Sequence, residues 1–292
     1  MATVGQWIEG ARLRTLPMAI APVIIGTAAA YDLGGIRWVN AVLAALVALL
    51  MQIGVNYAND YSDGIRGTDE VRVGPLRLVG SGVATPKHVK MAAFAALGLA
   101  MLAGLALVVL SQSWWLLLVG AGAVLAAWGY TGGKNPYGYL GLGDIFVFVF
   151  FGPVATLGTT FTQAGQVSPA AVIGSVSTGL IAVALLMANN VRDIPTDTEV
   201  GKRTLAVRLG DRNARISYVV MLALSLAIVM VLVPAKPWLL LVLLLIPFML
   251  MPSWLMIKGK KRKSLIPVLK QTGLINLGFS VLFAVAMVLT HV

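Results

Sequence analysis

Long apolar stretches separated by short polar connections limit the folds open to this chain more than any other feature. Nine such stretches of roughly 16 to 23 residues occur, each close to the ~20 residues that a helix needs to cross a bilayer. Hydrophobic residues make up 59% of the 292 residues and charged residues 11%, against about 25% charged residues in soluble domains. So little polar surface excludes a cytosolic enzyme, a disordered chain and a nucleic-acid-binding domain. The sequence predicts an all-α polytopic membrane protein with one domain over residues 1–292.

Nine transmembrane helices are predicted, as two four-helix halves followed by a ninth helix. Their expected bounds are Leu16–Tyr31, Val39–Ala58, Val89–Leu110, Trp114–Tyr130, Ile145–Gln163, Ala170–Val191, Ile216–Val233, Trp238–Ile257 and Leu269–Thr290. The division into halves depends on one pattern of acidic residues that occurs twice in the sequence.

Basic residues are concentrated in alternate connections. All Lys and Arg except Arg37 and Lys236, 20 of 22, fall on the side that includes the N-terminus. Because basic residues stay on the cytoplasmic side of inserted helices, we expect a cytoplasmic N-terminus in a multi-pass protein of a bacterial-type inner membrane. The net charge of +11 then mainly reflects topology, and Lys258–Lys263 is expected to contact anionic lipid headgroups. A cleaved signal peptide ending near Ala28–Ala30 is the alternative for the first stretch, but more membrane helix follows it.

Acidic residues are scarce, and seven of the 11 fall in two short windows on the predicted cytoplasmic side. Each window closes a long apolar stretch and has an Asn, Asn56 or Asn189, four residues before its first Asp. Residues three and four apart share one helical face, so each window can converge on one point, in the second case if the helix continues through Pro195. Solvent-exposed loops would also carry acids, but they do not explain the repeated Asn or the scarcity of acids on the other side. The seven acids are Asp60, Asp63, Asp69, Glu70, Asp193, Asp197 and Glu199.

The residue types in these windows indicate a site for a hard metal ion and a diphosphate. The chain has no Cys, and its two histidines, His88 and His291, have no ligand partner at metal-site spacing. Carboxylate and amide oxygens suit Mg²⁺ or Ca²⁺ rather than zinc, and Mg²⁺ completes its shell with water and substrate phosphate. We expect Mg²⁺, with Mn²⁺ as the alternative ion, to be bound by Asn56, Asp60, Asp63, Asn189, Asp193 and Asp197. The loops near residues 59–88 and 189–212 also supply cations for the diphosphate, namely Arg66, Arg72, Arg77, Lys202 and Arg203, with Arg192 and Arg208 nearby.

At these residues the sequence resembles the UbiA-type intramembrane aromatic prenyltransferases, over essentially the whole chain. That family has nine transmembrane helices and two Asp-rich cytoplasmic loops. Its first motif, Asn-Asp-x-x-Asp-x-x-x-Asp, matches residues 59–63, but Gly67 stands where the third Asp would fall, and Asp69 and Glu70 follow. Its second motif, Asp-x-x-x-Asp, is matched by Asp193 and Asp197.

The sequence is similar to the menaquinone-forming branch of that family. The similarity lies in the displaced acid and in three stretches, residues 60–75, 130–141 and 143–158. The resemblance implies transfer of a polyprenyl group from polyprenyl diphosphate to 1,4-dihydroxy-2-naphthoate with loss of CO₂, giving demethylmenaquinone. It also implies that the catalytic residues are Asp60, Asp63, Asp193, Asp197 and Lys202. A basic or aromatic side chain should hold the acceptor, and the candidates are Arg14, Tyr130, Lys134, Tyr137 and Tyr139.

Three alternatives stay open at this stage. One is a prenyltransferase for another aromatic acceptor, such as 4-hydroxybenzoate or homogentisate. Another is a secondary transporter, although its coupling acids should lie near the membrane midplane rather than at helix ends. The third is a CDP-alcohol phosphotransferase, but Asp63-Gly64-Ile65-Arg66 does not match the Asp-Gly-x-x-Ala-Arg motif of that class.

Overall fold

The computed structural model describes residues 2–67 and 76–291. Within these residues the chain is about 81% helical and contains no strand, which confirms the predicted all-α class. The α-helices are α1 (Val4–Gly10), α2 (Leu16–Asp32), α3 (Trp38–Ile65), α4 (Pro86–Ser111), α5 (Leu116–Gly129), α6 (Gly143–Val149), α7 (Ala155–Ala164), α8 (Pro169–Glu199), α9 (Leu205–Val229), α10 (Ile246–Ile257) and α11 (Ile266–Leu289). One π-helical turn, Phe150–Val154, joins α6 to α7, and 3₁₀ segments cover Leu13–Thr15, Tyr137–Leu140, Met230–Leu232, Pro237–Leu245 and Arg262–Leu265.

Eight helical segments in the described part of the chain are long and apolar enough to cross a membrane. They are Val4–Asp32, Trp38–Ile65, Pro86–Ser111, Gly143–Ala164, Pro169–Glu199, Leu205–Leu232, Pro237–Ile257 and Lys263–Leu289. The remaining predicted helix corresponds to α5, which has 14 residues. Its length of about 21 Å is less than the ~30 Å thickness of a hydrocarbon core. Each predicted helix therefore has a helical counterpart, while a count of nine transmembrane spans stays a prediction.

Two helices extend beyond their apolar stretches and carry the acidic windows. The helix α3 ends at Ile65 and α8 ends at Glu199, so the first-window acids up to Asp63 and the whole second window are helical. The helix α8 continues through Pro195, as the expected convergence of the second window requires. At the next helix the chain departs from the prediction, because α9 begins at Leu205 and bends at Gly210, whose φ of 74° glycine adopts without steric cost.

Packing places α8 at the centre of the bundle. Its apolar window is the most enclosed of the eight spans, followed by those of α2 and α11, while α4 and α10 leave many large side chains exposed. The helix α3 packs along α4, and α8 packs along α9, so each acidic window ends the first helix of an antiparallel pair. Small residues allow close approach: a Cβ added at Gly26 of α2 would lie 2.5 Å from the Thr156 carbonyl oxygen of α7.

Candidate active site

The first acidic window is buried at the end of α3. Asn56, Asn59, Asp60 and Asp63 are all less than a tenth exposed, although they are polar and stand at a helix end. The segment that follows residue 75 and the short helix α1 cover this end of α3. Burying carboxylates is costly unless each has a hydrogen-bond or ionic partner, so the partners of each acid indicate what the site is built to do.

Asp60 fixes the chain that folds back over α3. Its Oδ2 accepts a hydrogen bond from the Leu78 N–H at 2.8 Å, and its Oδ1 accepts one from the Val79 N–H at 3.0 Å. Both carboxylate oxygens are therefore used to order the cover of the site. Asp60 thus has a structural role in addition to the metal-binding role predicted for it.

Asp63 faces a different set of groups. Its Oδ1 accepts a hydrogen bond from the Tyr139 hydroxyl at 2.8 Å. Its Oδ2 lies 3.6 Å from Nη2 of Arg77, whose side chain is only 9% exposed. A predicted metal-binding acid and a predicted diphosphate-binding cation are therefore in contact.

In the second window, Arg192 neutralises the first acid. Nε and Nη2 of Arg192 each donate to Asp193 at 2.7 Å, a bidentate pair in which both side chains are about 5% exposed or less. The same Nη2 donates to the Asn189 Oδ1 at 2.8 Å. Arg192 therefore holds the two predicted metal-binding residues Asn189 and Asp193 together.

The second window ends in a turn that carries Lys202. The Lys202 N–H donates to the Asp197 carbonyl oxygen at 2.7 Å, across a turn in which Gly201 has a φ of 73°. The Lys202 Nζ lies 3.9 Å from the Asp197 Oδ1. The acid and the lysine predicted to act together are thus neighbours.

Tyr139 connects the two windows. Its hydroxyl donates to Asp63, and its ring lies under two cations. Nζ of Lys202 is 4.7 Å and Cζ of Arg66 is 5.4 Å from the ring centroid. Its carbonyl oxygen accepts from the Arg203 N–H at 2.9 Å. The first window therefore reaches the second through one aromatic side chain, and the two windows, 133 residues apart in sequence, form one site.

The loop that carries Tyr139 is anchored from α3. The Arg66 guanidinium donates to the carbonyl oxygens of Thr131 and Gly133, and the Thr131 hydroxyl donates to the Asn59 Oδ1 at 2.8 Å. We call residues 130–142 the bridging loop. Arg66, predicted to bind diphosphate, donates hydrogen bonds to the backbone of that loop in this structure.

Among the acceptor candidates, the tyrosines are packed and the cations are exposed. Tyr130 packs edge-on against Tyr137, with their centroids 5.5 Å apart, and the Tyr137 hydroxyl donates to the Ala126 carbonyl oxygen at 2.8 Å. Burial raises the pKa of the Tyr137 phenol far above its usual range, so this group stays neutral. Arg14 and Lys134 are exposed, and so is the Arg203 side chain.

Asn56 joins two helices, and Arg72 lies in a part of the chain that the structure does not describe. The Asn56 amide donates to the Ala11 carbonyl oxygen and to the Thr15 hydroxyl, at 2.9 and 3.1 Å, so it ties α3 to the start of α2. Arg72, with Asp69 and Glu70, lies outside the described residues. The roles predicted for the site residues, in binding the metal, the diphosphate and the acceptor, stay predictions.

Sequence reasoning missed two polar residues near the site. Asn59 appeared only as part of a motif, yet it anchors the bridging loop through Thr131. Asp144, in the first turn of α6 just after that loop, is 5% exposed, and its Oδ1 has no hydrogen-bond partner among the described residues. In the sequence, Asp144 stands directly before the apolar stretch that begins at Ile145, and an acid at that place is also expected in a solvent-exposed loop.

Comparison with known proteins identifies the class that this helical bundle and its paired acidic windows define. The family model described as "UbiA prenyltransferase family" matches residues 19–290. The chain belongs to this family, which confirms the resemblance read from the two motifs and makes the protein a prenyltransferase.

Individual relatives narrow the comparison. The chain is 51% identical to the 1,4-dihydroxy-2-naphthoate octaprenyltransferase of Mycobacterium tuberculosis, over 98% of both chains. It is 45% identical to the Escherichia coli protein of the same name, over 72% of this chain and 70% of that protein. A solved UbiA homolog from Archaeoglobus fulgidus, bound to DMAPP and Mg²⁺, has the same fold at 17% identity, with a TM-score of 0.65 over 97% of this chain and 99% of that one.

Proposed function

We propose that this protein transfers a polyprenyl group from polyprenyl diphosphate to 1,4-dihydroxy-2-naphthoate, with loss of the acceptor carboxylate as CO₂, in menaquinone synthesis. The observation that carries the proposal is the meeting of both acidic windows around Tyr139, in a chain whose relatives are named 1,4-dihydroxy-2-naphthoate octaprenyltransferase. The shared name also favours the naphthoate over 4-hydroxybenzoate or homogentisate as acceptor.

The donor atoms of the site fit Mg²⁺. Asp60, Asp63, Asp193 and Asp197 are buried carboxylates near the C-terminal ends of α3 and α8. In the part of the chain that the structure describes, no three acidic or histidine side chains lie close enough to share one ion. Mg²⁺ takes only one or two carboxylates per ion and fills its remaining positions with water and substrate phosphate, so paired acids are sufficient. When bound, the ion stabilises the negative charge that develops on the diphosphate.

The cations of the site bind and orient the diphosphate. Arg77 and Lys202 lie beside carboxylates, and in this proposal each contacts phosphate oxygens, Arg bidentately and Lys as a point charge. As the bond between the prenyl carbon and the diphosphate oxygen breaks, its electron pair stays on the diphosphate, where these cations stabilise it.

The allylic cation then forms a carbon–carbon bond with the electron-rich acceptor ring. The bond between the ring and the carboxylate carbon breaks, CO₂ leaves, and the electron pair of that broken bond returns to the ring. The immediate product is a prenylated naphthohydroquinone, the reduced form of demethylmenaquinone. Water must be kept from the cation, and the closely packed α2, α8 and α11 supply an apolar surrounding for it.

The membrane arrangement follows the distribution of charge. We propose nine spans, counting the short α5, with the N-terminus and the acidic windows on the cytoplasmic side of a bacterial inner membrane. The basic loops support this orientation, because 20 of 22 Lys and Arg share the side of the windows. Diphosphate and naphthoate would enter from the cytoplasm, while the prenyl chain lies along the apolar helices.

A transfer assay on the purified protein tests the proposal. It uses a radiolabelled polyprenyl diphosphate with 1,4-dihydroxy-2-naphthoate or 4-hydroxybenzoate, each with Mg²⁺, with Mn²⁺ and with EDTA. A lipid-soluble product with the naphthoate only, lost in EDTA, is expected. Product with the benzoate instead would overturn the acceptor assignment, and activity in EDTA would overturn the metal assignment. No product with either acceptor, from protein shown to be folded, would refute the reaction.

A further inference from the structure

A groove on the outer surface of the bundle is formed by residues that follow both acidic windows in the sequence. It runs between the Pro237–Ile257 span and α11, with a volume of about 490 Å³. Its walls are apolar except for one lysine and one glutamine; the main lining residues are Leu245, Phe248, Lys270, Gln271, Leu274 and Gly278.

The groove faces outward, away from the interior of the bundle. Phe248 is 60% exposed and Leu274 is 53% exposed, whereas Asn276 and Phe279 of the same helix α11 are buried in the bundle. Gly278 keeps the inner end open, since a Cβ there would lie 3.1 Å from the Leu245 Cδ2. The groove is therefore bordered by the membrane and not by the candidate active site.

The groove ends in a purely basic region. From residue 212 to the C-terminus the sequence contains no Asp or Glu. Lys270 stands at the mouth, and within the described part of the chain no carboxylate lies at ion-pair distance from it. The connection before α11 adds four more exposed lysines, at positions 258, 260, 261 and 263.

The dimensions match one leaflet of a bilayer. From Lys270 to Gly278 the helix rises about 12 Å, close to the ~15 Å thickness of half a hydrocarbon core. The mouth lies on the side of the acidic windows, because the Arg14 carbonyl oxygen, near the start of α2, would be 3.7 Å from a Cβ on Gly273 of α11. A ligand that fills this groove is apolar over one leaflet and negatively charged at its head.

We infer that this groove binds one anionic phospholipid, with an acyl chain along Leu274 and Gly278 and the headgroup phosphate at Lys270. The charge selects the class of lipid, because a cation beside an apolar slot and lysines on the adjacent connection favour a net negative headgroup over a zwitterionic one. The inference is independent of the acceptor and the donor proposed above.

Lipid binding to the intact protein tests this inference. The purified full-length chain is mixed with equimolar phosphatidylglycerol and phosphatidylcholine of identical acyl chains, and bound lipid is counted by native mass spectrometry. We expect phosphatidylglycerol to be retained in preference. Lys270→Gln should weaken its binding about fivefold and leave phosphatidylcholine unchanged, whereas Leu274→Trp should reduce both by filling the slot.

Matched substitutions on another membrane helix separate this site from general lipid contact. Lys87→Gln removes an exposed lysine at the start of α4, and Leu99→Trp enlarges a residue that is 54% exposed, close to the 53% of Leu274. Both controls should behave like the wild-type protein. Equal retention of the two lipids, or equal effects of the Lys270 and Lys87 changes, would overturn the inference. Displacement of the bound lipid by geranyl diphosphate would also overturn it, because the groove would then belong to the substrate path.

Discussion

Tyr139 offers the sharpest test of how the two acidic windows work together. Tyr139→Phe removes only the hydroxyl that donates to the Asp63 Oδ1 at 2.8 Å, and it keeps the ring that lies under Lys202 and Arg66. A hydrogen bond to a charged group contributes about 1.5–3 kcal/mol. If Asp63 is held for catalysis by that bond, kcat/KM for prenyl transfer should fall roughly 10- to 150-fold.

The kinetic pattern distinguishes positioning from binding of the acceptor. A residue that positions Asp63 should lower kcat and leave KM for the naphthoate near its wild-type value, whereas a residue that binds the acceptor should raise that KM. Tyr139→Leu also removes the ring that two cations cover, so we expect it to lower kcat further than Tyr139→Phe does. Steady-state assays that vary each substrate in turn measure both constants.

A buried tyrosine elsewhere provides the control. The Tyr218 hydroxyl contacts the Thr272 hydroxyl at 2.7 Å, in the core between α9 and α11, and Thr272 also donates to the Val268 carbonyl oxygen. Tyr218→Phe should therefore change stability slightly and transfer activity not at all. The reasoning fails if Tyr139→Phe stays within twofold of the wild-type protein in both kcat and KM while its fold is intact.

Four further outcomes follow from the contacts. Asp193→Asn should abolish transfer and lower the Tm in detergent, because Arg192 loses a buried bidentate partner, a loss that costs about 3–5 kcal/mol in proteins; wild-type turnover would contradict its catalytic role. Asp32→Asn should lower the Tm by weakening its bonds to a lysine and a histidine at the opposite end of the bundle, with activity retained; lost activity in folded protein would contradict this. Gly26→Ala should destabilise by about 1–3 kcal/mol through contact with a neighbouring carbonyl, unlike Gly158→Ala, which meets nothing within 4 Å; equal unfolding midpoints would refute the packing argument. In calorimetry, Mg²⁺ and prenyl diphosphate should each raise the affinity for the other, and full-affinity binding of Mg²⁺ alone would show that the metal does not need the diphosphate to separate the carboxylates from their cations.

The sequence predicted the helices well because a membrane span is a local property. Twenty apolar residues specify a span wherever it lies in the bundle, so each of the nine predicted stretches is helical. One helix, α5, is shorter than a full span. Trp114 and Trp115 were predicted to belong to it but lie before its first turn, and the helix ends just before Tyr130. Apolarity sets where a helix can exist, while its ends depend on turns and caps.

The site was only partly predictable, because its partners are distant in sequence. The spacing of Asn and Asp located both windows, but it gave no sign that Asp60 would accept two backbone N–H groups from residues 78 and 79. Nor did it indicate that Tyr139, considered for the acceptor, would bond Asp63. Such contacts are decided by how a loop folds over helix ends, which periodicity does not encode.

Three of the four carboxylates of the site have a cationic partner before any ligand binds. Asp63 has Arg77, Asp193 has Arg192, and Asp197 has Lys202 within ion-pair distance. Buried carboxylates need such partners, because an uncompensated charge in an apolar bundle is costly. A diphosphate that arrives with Mg²⁺ brings both signs of charge, so the cations can turn to the phosphate while the carboxylates turn to the metal, and neither set of charges is left without a partner. Mg²⁺ alone would have to displace the cations without offering them a new partner, and this is why metal and diphosphate should bind together.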